Sequence, residues 1–558
     1  FSIACSTGQM VVGTDTLIGN EWIRYGQTYY KFSLNTDGVY RITTATLEAA
    51  GLNPADLIGA SFRIWSMGRQ VPLYVSTDGS FGPADYIEFY GRKNRSEMDR
   101  YLYLHPDTDM LNPDHSLYTD NRYYYLTTSG DDVPLRVKQV DNNVSNPPAP
   151  SSYYLAEQKQ LFTNSMYDPY YPVANGGAVS YSSYMHGEGF GKGLESSSNI
   201  NVTALNRAAS GPDARLHIRM TSANYFDHAF PVTWNGETVA TIYAEFIQII
   251  DTTIVIPLDK LQDNNQLQVL SNDPQSRFVI ASVSLVYPQT SLTTFSNELH
   301  FLIAGGSPDE YLVLEGFSHG AEFPVVYTED GNIRMVTAFN GQDHVHFVWP
   351  MSQEETRLYI VDPANGIHTI STLEPKVFTD FSDDNTEFII ITHPALMDLG
   401  TASAYAQYRS SVEGGSYRTK AYSILDLYDQ FGYGIEKHPQ AIRNFVEFIH
   451  RHWSGAKMIF IVGRGIEYNR SRNNDGTWEN LFFVPTFGKP GSDNLLAATL
   501  WNLVPRYPIA RLAAINRDYV QLYLNKVIEH DAFASTPQTL EARRWMKNVI
   551  HISGGEDA

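Results

Sequence analysis

The sequence provides one cysteine, Cys5, for chemistry that needs a thiol. It stands in the opening segment FSIACSTGQ, which could be the remnant of a signal peptide or lipoprotein signal. The charged and apolar parts of such a signal are missing, so an ordinary terminal residue is the simpler interpretation. A single cysteine cannot form an internal disulfide. The sequence places no cysteine where it would act as a catalytic nucleophile, and we assign no catalytic residue.

Histidines and acidic residues give candidate metal or acid–base sites, each with a simpler interpretation. His344 and His346 alternate on a predicted strand, but two ligands without a third usually mark a half-exposed strand face. The acidic loop at 107–114 could hold Ca²⁺, yet it lacks EF-hand spacing and is typical of a solvated turn. The His-Gly pairs at 186–187 and 319–320 lie in a β-rich region and are interpreted as turns. We predict no metal site and no cofactor.

A glycine-rich turn, Gly463-Arg464-Gly465, follows a continuous apolar run at 458–462. A dinucleotide-binding loop would place a third glycine at Tyr468 and open a helix there, and neither is predicted. A short turn with close backbone approach is the better interpretation. The sequence also lacks a Walker-type phosphate loop and the GxSxG nucleophile elbow, so it offers no support for nucleotide hydrolysis or serine chemistry by those routes.

The pattern around this turn changes at about residue 385, where strands and helices begin to alternate. Continuous apolar runs predict strands that are buried on both faces, and spaced apolar residues predict helices between them. The predicted elements are strands at 388–392, 418–422, 458–462 and 549–552 and helices at 394–408, 425–431, 439–453 and 520–527. This alternation is the pattern of a doubly wound, mostly parallel sheet.

The working loops of such a sheet lie at the carboxyl ends of its strands. The residues best placed near a substrate cleft are therefore Arg464, Ser492 and Asp493, although bracing a loop is the more frequent role of such residues. The predicted strand ends are 392–394, 463–465 and 553–555.

The region from about residue 20 to 380 has few helical periods. It shows short runs of β-branched and aromatic residues, broken by turn residues, which predict β-sandwich modules. Residues 29–42, with an Asp-Gly turn, predict a β-hairpin, and residues 62–75 predict a second strand pair. The predicted domains are 1–145 (N-terminal β-rich domain), 146–295 (β-sandwich domain), 296–384 (small β domain) and 385–558 (α/β domain).

The charge balance excludes some partners. Lys and Arg number 40 against 61 Asp and Glu, and the net charge of −21 repels nucleic acid and anionic lipid. The chain has 36 tyrosines and only 18% charged residues, a composition often met in extracellular β proteins. No apolar run approaches the ~18 residues that a membrane span needs. We predict no nucleic-acid partner and favour a bacterial envelope or surface protein.

Several motifs of the α/β region follow one another as they do in a known family. They are ITHP at 391–394, YDQFGYG at 428–434, HP at 438–439, IRNF at 442–445, IVGRG at 461–465, VPTFGKPGSDN at 484–494, PIARLAA at 508–514 and WMKN at 545–548. Segments 30–32, 37–42 and 85–91 of the front half match as well. On these motifs the chain resembles the gingipain-type cysteine peptidases of family C25, most closely the sortases of the type IX secretion system of Bacteroidota.

The resemblance implies a multidomain protein, with a β-sandwich-rich N-terminal region followed by an α/β caspase-like gingipain domain. It implies a cysteine-type endopeptidase in which a Cys attacks the peptide carbonyl and a His moves the proton. Such a sortase removes the C-terminal sorting domain of secreted cargo and attaches the cargo to surface lipopolysaccharide. The implied partners are cargo proteins, an outer-membrane β-barrel subunit and other attachment-complex proteins, at the outer membrane of the cell surface.

One departure from the family pattern bears on catalysis. In the family the catalytic His and Cys follow later strands, beyond the position that corresponds to 554–556, and this sequence ends at Ala558. We therefore expect the α/β domain to be incomplete in this chain and the dyad to lie beyond residue 558. Two alternatives stay open. One is a non-catalytic surface scaffold or cargo-binding protein with a degenerate gingipain-like domain, and the other is a processed front part held noncovalently to a catalytic part.

Overall fold

The computed structural model describes residues 10–12, 15–172, 178–293, 295–306, 308–397, 401–472, 479–499, 502–535, 539–541 and 543–548. Cys5, the predicted strand at 549–552 and the predicted loop at 553–555 lie outside the described residues. Strands dominate as far as residue 377, and helices alternate with strands after residue 388. This arrangement confirms the predicted fold class of a β-sandwich-rich region followed by an α/β domain.

The first part of the chain forms short strands and two short helices. These elements are β1 (Met10–Val12), β2 (Asp15–Leu17), β3 (Thr28–Leu34), β4 (Gly38–Thr43), α1 (Thr44–Ala49), β5 (Arg63–Ser66), β6 (Arg69–Val71), β7 (Tyr74–Val75), β8 (Tyr86–Gly91), α2 (Pro106–Asp109), β9 (Arg122–Thr127) and β10 (Lys138–Val140).

The middle of the chain is built of strands. They are β11 (Tyr154–Leu161), β12 (Ser165–Tyr167), β13 (Tyr171–Pro172), β14 (Ala178–Val179), β15 (Gly189–Gly191), β16 (Ser197–Thr203), β17 (Ala214–Ala223), β18 (Asp227–Trp234), β19 (Glu237–Glu245), β20 (Ile249–Ile256), β21 (Asn264–Leu270), β22 (Arg277–Gln289), β23 (Glu298–Ile303), β24 (Glu310–Leu314), β25 (Val325–Thr328), β26 (Ile333–Val336), β27 (Ala338–Phe339), β28 (Val345–Trp349), β29 (Thr356–Val361), β30 (His368–Thr369) and β31 (Glu374–Val377).

The N-terminal strands form a β-sandwich of two sheets. The sheet orders are β31-β3-β9-β5-β6 and β30-β4-β8-β7. Phe32 of one sheet and Ile42 of the other belong to the same buried core. The predicted hairpin at 29–42 is therefore wrong, because β3 and β4 face each other across the core instead of pairing edge to edge. In the second predicted pair, β5 pairs with β6, while β7 joins the other sheet.

A nine-stranded sheet occupies the middle of the molecule. Its order is β10-β26-β25-β29-β23-β11-β22-β17-β20. It packs against a four-stranded sheet, β16-β21-β18-β19, and a three-stranded sheet, β24-β28-β27, with buried residues of all three in one core. Strands from both sides of residue 295 share the large sheet, so the predicted boundary there does not coincide with a break between sheets.

The α/β domain begins with a buried parallel strand. Its elements are β32 (Phe388–Thr392), α3 (Ala402–Ser410), β33 (Thr419–Ser423), α4 (Ile424–Phe431), α5 (Gln440–His452), β34 (Met458–Val462), α6 (Tyr468–Arg472), β35 (Ile509–Leu512) and α7 (Arg517–Ser535). The strands pair in the order β33-β32-β34-β35, and every pair is parallel, as predicted.

Helices cover both faces of this sheet. Ile390 of β32 packs with residues of α3 and α7, whereas Ile391 packs with residues of α4 and α5. Two helix predictions were wrong in detail. The predicted helix at 394–408 is a 3-10 turn at Pro394–Leu396 followed by α3, and a short helix, α6, opens at Tyr468, where none was predicted.

A buried carboxylate joins the N-terminal sandwich to the α/β domain. Asp429 of α4 is 4% exposed. Its two carboxylate oxygens lie 2.6 Å from Nζ of Lys31 on β3 and 2.8 Å from Nζ of Lys376 on β31. The Tyr125 hydroxyl of β9 donates to the same carboxylate at 3.0 Å. Three strands of the sandwich therefore meet one helix through a single charged group.

We expect Asp429→Asn to lower the free energy of unfolding by about 3 kcal/mol, because it leaves two ammonium groups without a buried counter-charge. The matched control is Asp426→Asn. Asp426 also contacts Lys376, at 2.7 Å, but its side chain is 49% exposed. The control should cost less than about 1 kcal/mol. Chemical denaturation of both variants measures the difference, and equal losses would contradict a central role for Asp429.

Candidate functional site

The parallel strands of the α/β domain end at one edge of the sheet. Thr392, at the end of β32, is in register with Ser423 of β33 on one side and Val462 of β34 on the other. The buried Oγ1 of Thr392 donates a hydrogen bond to the carbonyl oxygen of Val462 at 2.7 Å. Since this bond fixes two neighbouring strand ends, the loops that follow start from defined positions.

Two loops contact each other above this edge. The N–H groups of Gly463 and Arg464 donate to the carbonyls of Leu512 and Ala514, each at 2.9 Å, and the N–H of Phe483 donates to the Arg464 carbonyl at 3.0 Å. Gly463 has φ near 141°, and a Cβ there would lie 2.8 Å from the Cβ of Phe483. Only glycine fits such a position. The predicted short turn with close backbone approach is confirmed.

Arg511 of β35 holds these loops together through its guanidinium group. It donates to both carboxylate oxygens of Asp493, at 2.8 and 2.7 Å. It also donates to the carbonyls of Gly463 and Val484, both at 2.8 Å, and of Pro485 at 2.7 Å. The planar fork of an arginine can make these bonds together, whereas the single ammonium of a lysine cannot. Two loops and the turn at Asp493 therefore share one anchor.

A pocket of about 450 Å³ opens beside this anchor. Its lining includes Arg464, Glu467, Arg470, Thr486 and the Arg511–Asp493 pair. Three guanidinium groups thus face two carboxylates, which favours a polar or anionic ligand group over a cationic one. The described lining contains a single hydroxyl, on Thr486, and it donates to Asp493 at 3.2 Å. The pocket can bind and orient a ligand, and its described lining offers no Cys or His for nucleophilic chemistry.

The structure brings two of the three predicted cleft residues together. Arg464 and Asp493 line the pocket, and Ser492 does not. Ser492 is half-buried at the start of the 3-10 turn Asp493–Leu496, and its N–H donates to the carbonyl of Phe487 at 2.9 Å. A contact of these residues with substrate stays a prediction. Asp493 has a bracing role as the partner of Arg511.

Sequence reasoning missed Arg511, Glu467 and Arg470. Arg511 had a signal, because it is a charged residue between apolar neighbours in a segment that pairs with the buried strand β34. Such a charge has to find polar partners at a sheet edge or loop. Glu467 and Arg470 had no such signal in the sequence, because their spacing matches no known pattern of a functional site.

His393 follows β32 and lies outside the pocket lining. Its ring stands near-perpendicular to that of Phe483, with the ring centroids 5.6 Å apart. Nδ1 of His393 accepts a hydrogen bond from the Ala395 N–H at 3.2 Å. Burial lowers the pKa of His393, which keeps the imidazole neutral at pH 7. The residue follows strand β32 and caps the start of the Pro394–Leu396 turn.

The other candidates are engaged in local structure. Nδ1 of His186 lies 2.5 Å from the carboxylate of Asp109, and Asp114 pairs with Lys159 at 2.7 Å. His346 lies on β28, where its Nδ1 is 2.9 Å from the Tyr311 hydroxyl. Within the described ranges, no group of three or more His, Cys, Asp or Glu residues could hold a metal ion.

A buried carboxyl group of the β-rich region, on Glu188, contacts helix α6. Glu188 is 3% exposed; it accepts a hydrogen bond from the Tyr468 hydroxyl and another from the Met185 N–H at 2.6 Å. Burial raises the pKa of Glu188 to about 8, so the carboxyl is mostly protonated at pH 7. Nearby, Asp99 and His438 form a fully buried pair, with Oδ1 and Nε2 3.1 Å apart. The α/β domain is thus joined to the β-rich region through polar contacts shielded from water.

The family model of peptidase family C25 matches residues 381–558. This part of the chain is therefore similar to the peptidase domain of family C25, and the match includes the parallel sheet and the pocket at its carboxyl edge. Among solved structures, dimeric latent PorU from Porphyromonas gingivalis matches 91% of this chain, with a TM-score of 0.57 and 14% sequence identity. That match extends the shared fold over the β-rich region. The chain covers 50% of the PorU chain, about half of its length.

Other solved structures match smaller parts of the chain. The CBM36-1 domain of a multidomain xylanase from the hindgut metagenome of Trinervitermes trinervoides matches 23% of this chain and 95% of its own, with 14% identity and a TM-score of 0.15. A β-porphyranase of glycoside hydrolase family 86 from Bacteroides plebeius matches 48% and 35%, with 10% identity and a TM-score of 0.16. A comparison with curated proteins gave no match. Among the described helices, none is long and apolar enough to cross a membrane.

We expect Arg511→Lys to lower the free energy of unfolding by about 2 kcal/mol or more, since a lysine cannot reproduce the fork. Amide hydrogen exchange at 483–493 should speed up. The control is Arg506→Lys, because Arg506 makes one ion pair, with Glu447 at 2.8 Å, and is 27% exposed. That control should change stability by less than about 1 kcal/mol. Unchanged exchange at 483–493 in Arg511→Lys would rule out the anchoring role.

Glu188 predicts a pH dependence of stability. Its pKa is about 8 in the folded protein against an ordinary value of 4.5, so between these pH values the folded state holds a proton that the unfolded state has lost. The stabilising contribution is full below about pH 4.5 and is lost as the pH rises through about 8. Glu188→Gln, which cannot ionise, should therefore gain stability relative to the wild type as the pH rises. Denaturation at pH 5 and pH 9 measures this gain.

Glu195→Gln is the control for this pH test, because Glu195 is a partly exposed carboxylate that pairs with Lys192. Its stability relative to the wild type should change less between pH 5 and pH 9. If the free energy of unfolding of Glu188→Gln changes with pH in parallel with that of the wild type, protonation of Glu188 does not stabilise the contact with α6.

Proposed function

We propose that the chain forms the front part of a type IX secretion system sortase, a cysteine endopeptidase and transpeptidase at the cell surface. The observation that carries the proposal is the C25 match at 381–558, located on a parallel sheet with a polar pocket at its carboxyl edge. The shared fold with PorU over 91% of the chain supports it, because the β-rich region then belongs to the same kind of molecule.

The proposed reaction has two stages. A cysteine thiolate attacks the peptide carbonyl before the C-terminal sorting domain of a cargo protein, and a histidine gives a proton to the leaving amine. The acyl-enzyme then passes the new carboxyl end to an amine or hydroxyl of surface lipopolysaccharide, or to water. The dyad is proposed to lie beyond residue 558, as the resemblance to the family implies.

The proposed role of the described residues is to position the substrate. Arg464 lies at the carboxyl edge of the sheet, where the loops of an α/β fold contact their ligands. Its guanidinium could hold a backbone carbonyl or acidic group of the cargo peptide, while Arg511 and Asp493 keep the loops in place. The proposed partners are cargo proteins with sorting domains, an outer-membrane β-barrel subunit and other attachment-complex proteins.

The experiment uses the complete gene product in a type IX host that lacks its own sortase. We expect the wild-type protein to restore removal of the sorting domain, scored by cargo mass. Arg464→Ala should lower the rate of cargo processing about tenfold, the value of one hydrogen bond to a charged group. The control is Arg215→Ala, a half-exposed residue of β17 paired with Glu355 in the β-rich region.

Two outcomes would contradict the proposal. If the complete protein, with the family His and Cys intact, restores no processing, the peptidase assignment fails and the scaffold alternative gains support. If Arg464→Ala and Arg215→Ala process cargo at the wild-type rate, the pocket is not part of the substrate cleft.

A further inference from the structure

Two neighbouring strands of the β-rich region each end a sheet without a further partner. β19 is the last strand of the four-stranded sheet, and β20 is the last strand of the nine-stranded sheet. The two are consecutive in the chain, and a groove of about 560 Å³ runs between Ala240–Tyr243 and Gln248–Ile254. In the described part of the chain, no strand pairs with the outer side of either one. The sandwich is therefore open along this side.

The backbone groups of β19 that point outwards can be identified from one hydrogen bond. The N–H of Phe246 donates inwards to the carbonyl of Phe226 on the β18 side, at 3.1 Å. Because hydrogen bonding alternates along an antiparallel strand, Tyr243 and Thr241 point their N–H and C=O groups away from β18. The N–H of Glu245 also points outwards and donates a hydrogen bond to Oε1 of Gln248 at 3.1 Å.

The floor of the groove contains apolar side chains, whereas Thr241, Gln248, Thr252 and Thr253 are among the polar residues of its lining. Ile250 and Ile254 belong to the buried sandwich core, and Ala240 and Ile242 pack against that core. Among the residues that line the groove, Asp251 is the single charged one, and it is already paired with Arg219 and His217. A strand laid here would place every second side chain against these apolar side chains, so its inward-facing residues have to be uncharged.

The edge of β19 lacks most devices that protect exposed strands. Natural edges are usually blocked by proline, lysine or a bulge. β19 contains no proline or lysine, and its register shift against β18 lies near its start, between Val232 and Thr233 of the partner. The stretch from Ala240 to Glu245 is regular. Tyr243 stands 76% exposed in the middle of that stretch.

Two carboxylates without a cationic partner among the described residues lie at one end of this edge. Glu245 lies directly opposite Asp227 in the β18–β19 register, both side chains are exposed, and neither forms an ion pair with any described residue. Like charges in a cross-strand pair repel each other. A second copy of β19 would not relieve them, because residues 237–245 contain no lysine or arginine. A partner strand with a lysine or arginine at this end would.

We propose that the open edge of β19 binds an extended segment of another protein as an added strand. The segment alternates apolar residues, which face the groove floor, with polar residues, and it carries a lysine or arginine beside Glu245 and Asp227. Backbone hydrogen bonds to Thr241 and Tyr243 supply affinity, the apolar side chains of the floor select the side-chain pattern, and the acidic pair sets the direction of the strand. This inference concerns the β-rich region and does not depend on the proposed peptidase reaction.

The test uses the 558-residue chain and labelled nine-residue peptides that alternate valine and threonine. One peptide carries two lysines at its first end, one carries them at its last end, and one carries two glutamates in place of the lysines. Fluorescence anisotropy measures binding. We expect one of the two lysine peptides to bind at least tenfold more tightly than the glutamate peptide. Glu245→Lys, which places a lysine opposite Asp227 and neutralises the pair, should abolish this preference.

Proline variants identify the strand edge. Tyr243→Pro removes an outward N–H without touching the β18 ladder, so binding of the lysine peptide should fall at least tenfold. Thr253→Pro, the matched variant on β20, should bind as the wild type does, and thermal unfolding confirms that both are folded. The proposal is overturned if no peptide binds the wild type, if folded Tyr243→Pro binds normally, or if Thr253→Pro loses as much. If Tyr243→Pro does not fold, the Glu245→Lys variant decides the question. The proposal is overturned if this variant still prefers the lysine peptide over the glutamate peptide as strongly as the wild type does.

Discussion

The hydrogen bonds of the Arg511 guanidinium hold the loops at the carboxyl edge of the α/β sheet in position. Five hydrogen bonds join the guanidinium to Asp493, Gly463, Val484 and Pro485, which belong to two loops and the turn at Asp493. Loops of this kind carry no sheet ladder of their own, so their positions come from such side-chain anchors. The pocket keeps its shape because one residue of the last described strand reaches back across the edge.

The β-rich region takes part in this arrangement. Glu188 contacts Tyr468 just after the glycine turn, and Asp99 pairs with His438 before α5. Asp429 adds a third buried link, to the N-terminal sandwich. Buried polar contacts fix relative position more strictly than apolar contacts do, because an unpaired member costs free energy. These contacts therefore join the sandwiches and the α/β domain into one framework. The fold shared with PorU extends over 91% of the chain.

Patterns that depend on local sequence were predictable, and pairings between distant segments were not. The buried strands β32 and β34 follow from continuous apolar runs, and the face of α5 follows from helical spacing. The Asp-Gly turn after β3 predicted a hairpin, yet Asp37 is held by the N–H of Lys93 at 2.8 Å, and the chain crosses to the second sheet. Arg464 was predicted to lie near the cleft because it follows a strand whose end is evident from the sequence, and its contact with substrate stays a prediction. Arg511 was missed because its partners lie on loops whose positions the sequence does not reveal.

We propose that the pocket at the carboxyl edge of the parallel sheet receives a cargo protein. The decisive measurement is amide hydrogen exchange of this chain with and without a purified cargo protein that carries a C-terminal sorting domain. We expect slower exchange at 464–470 and 486–493 when cargo is bound, since residues of both segments line the pocket. Bound cargo that leaves the exchange of both segments unchanged would contradict it.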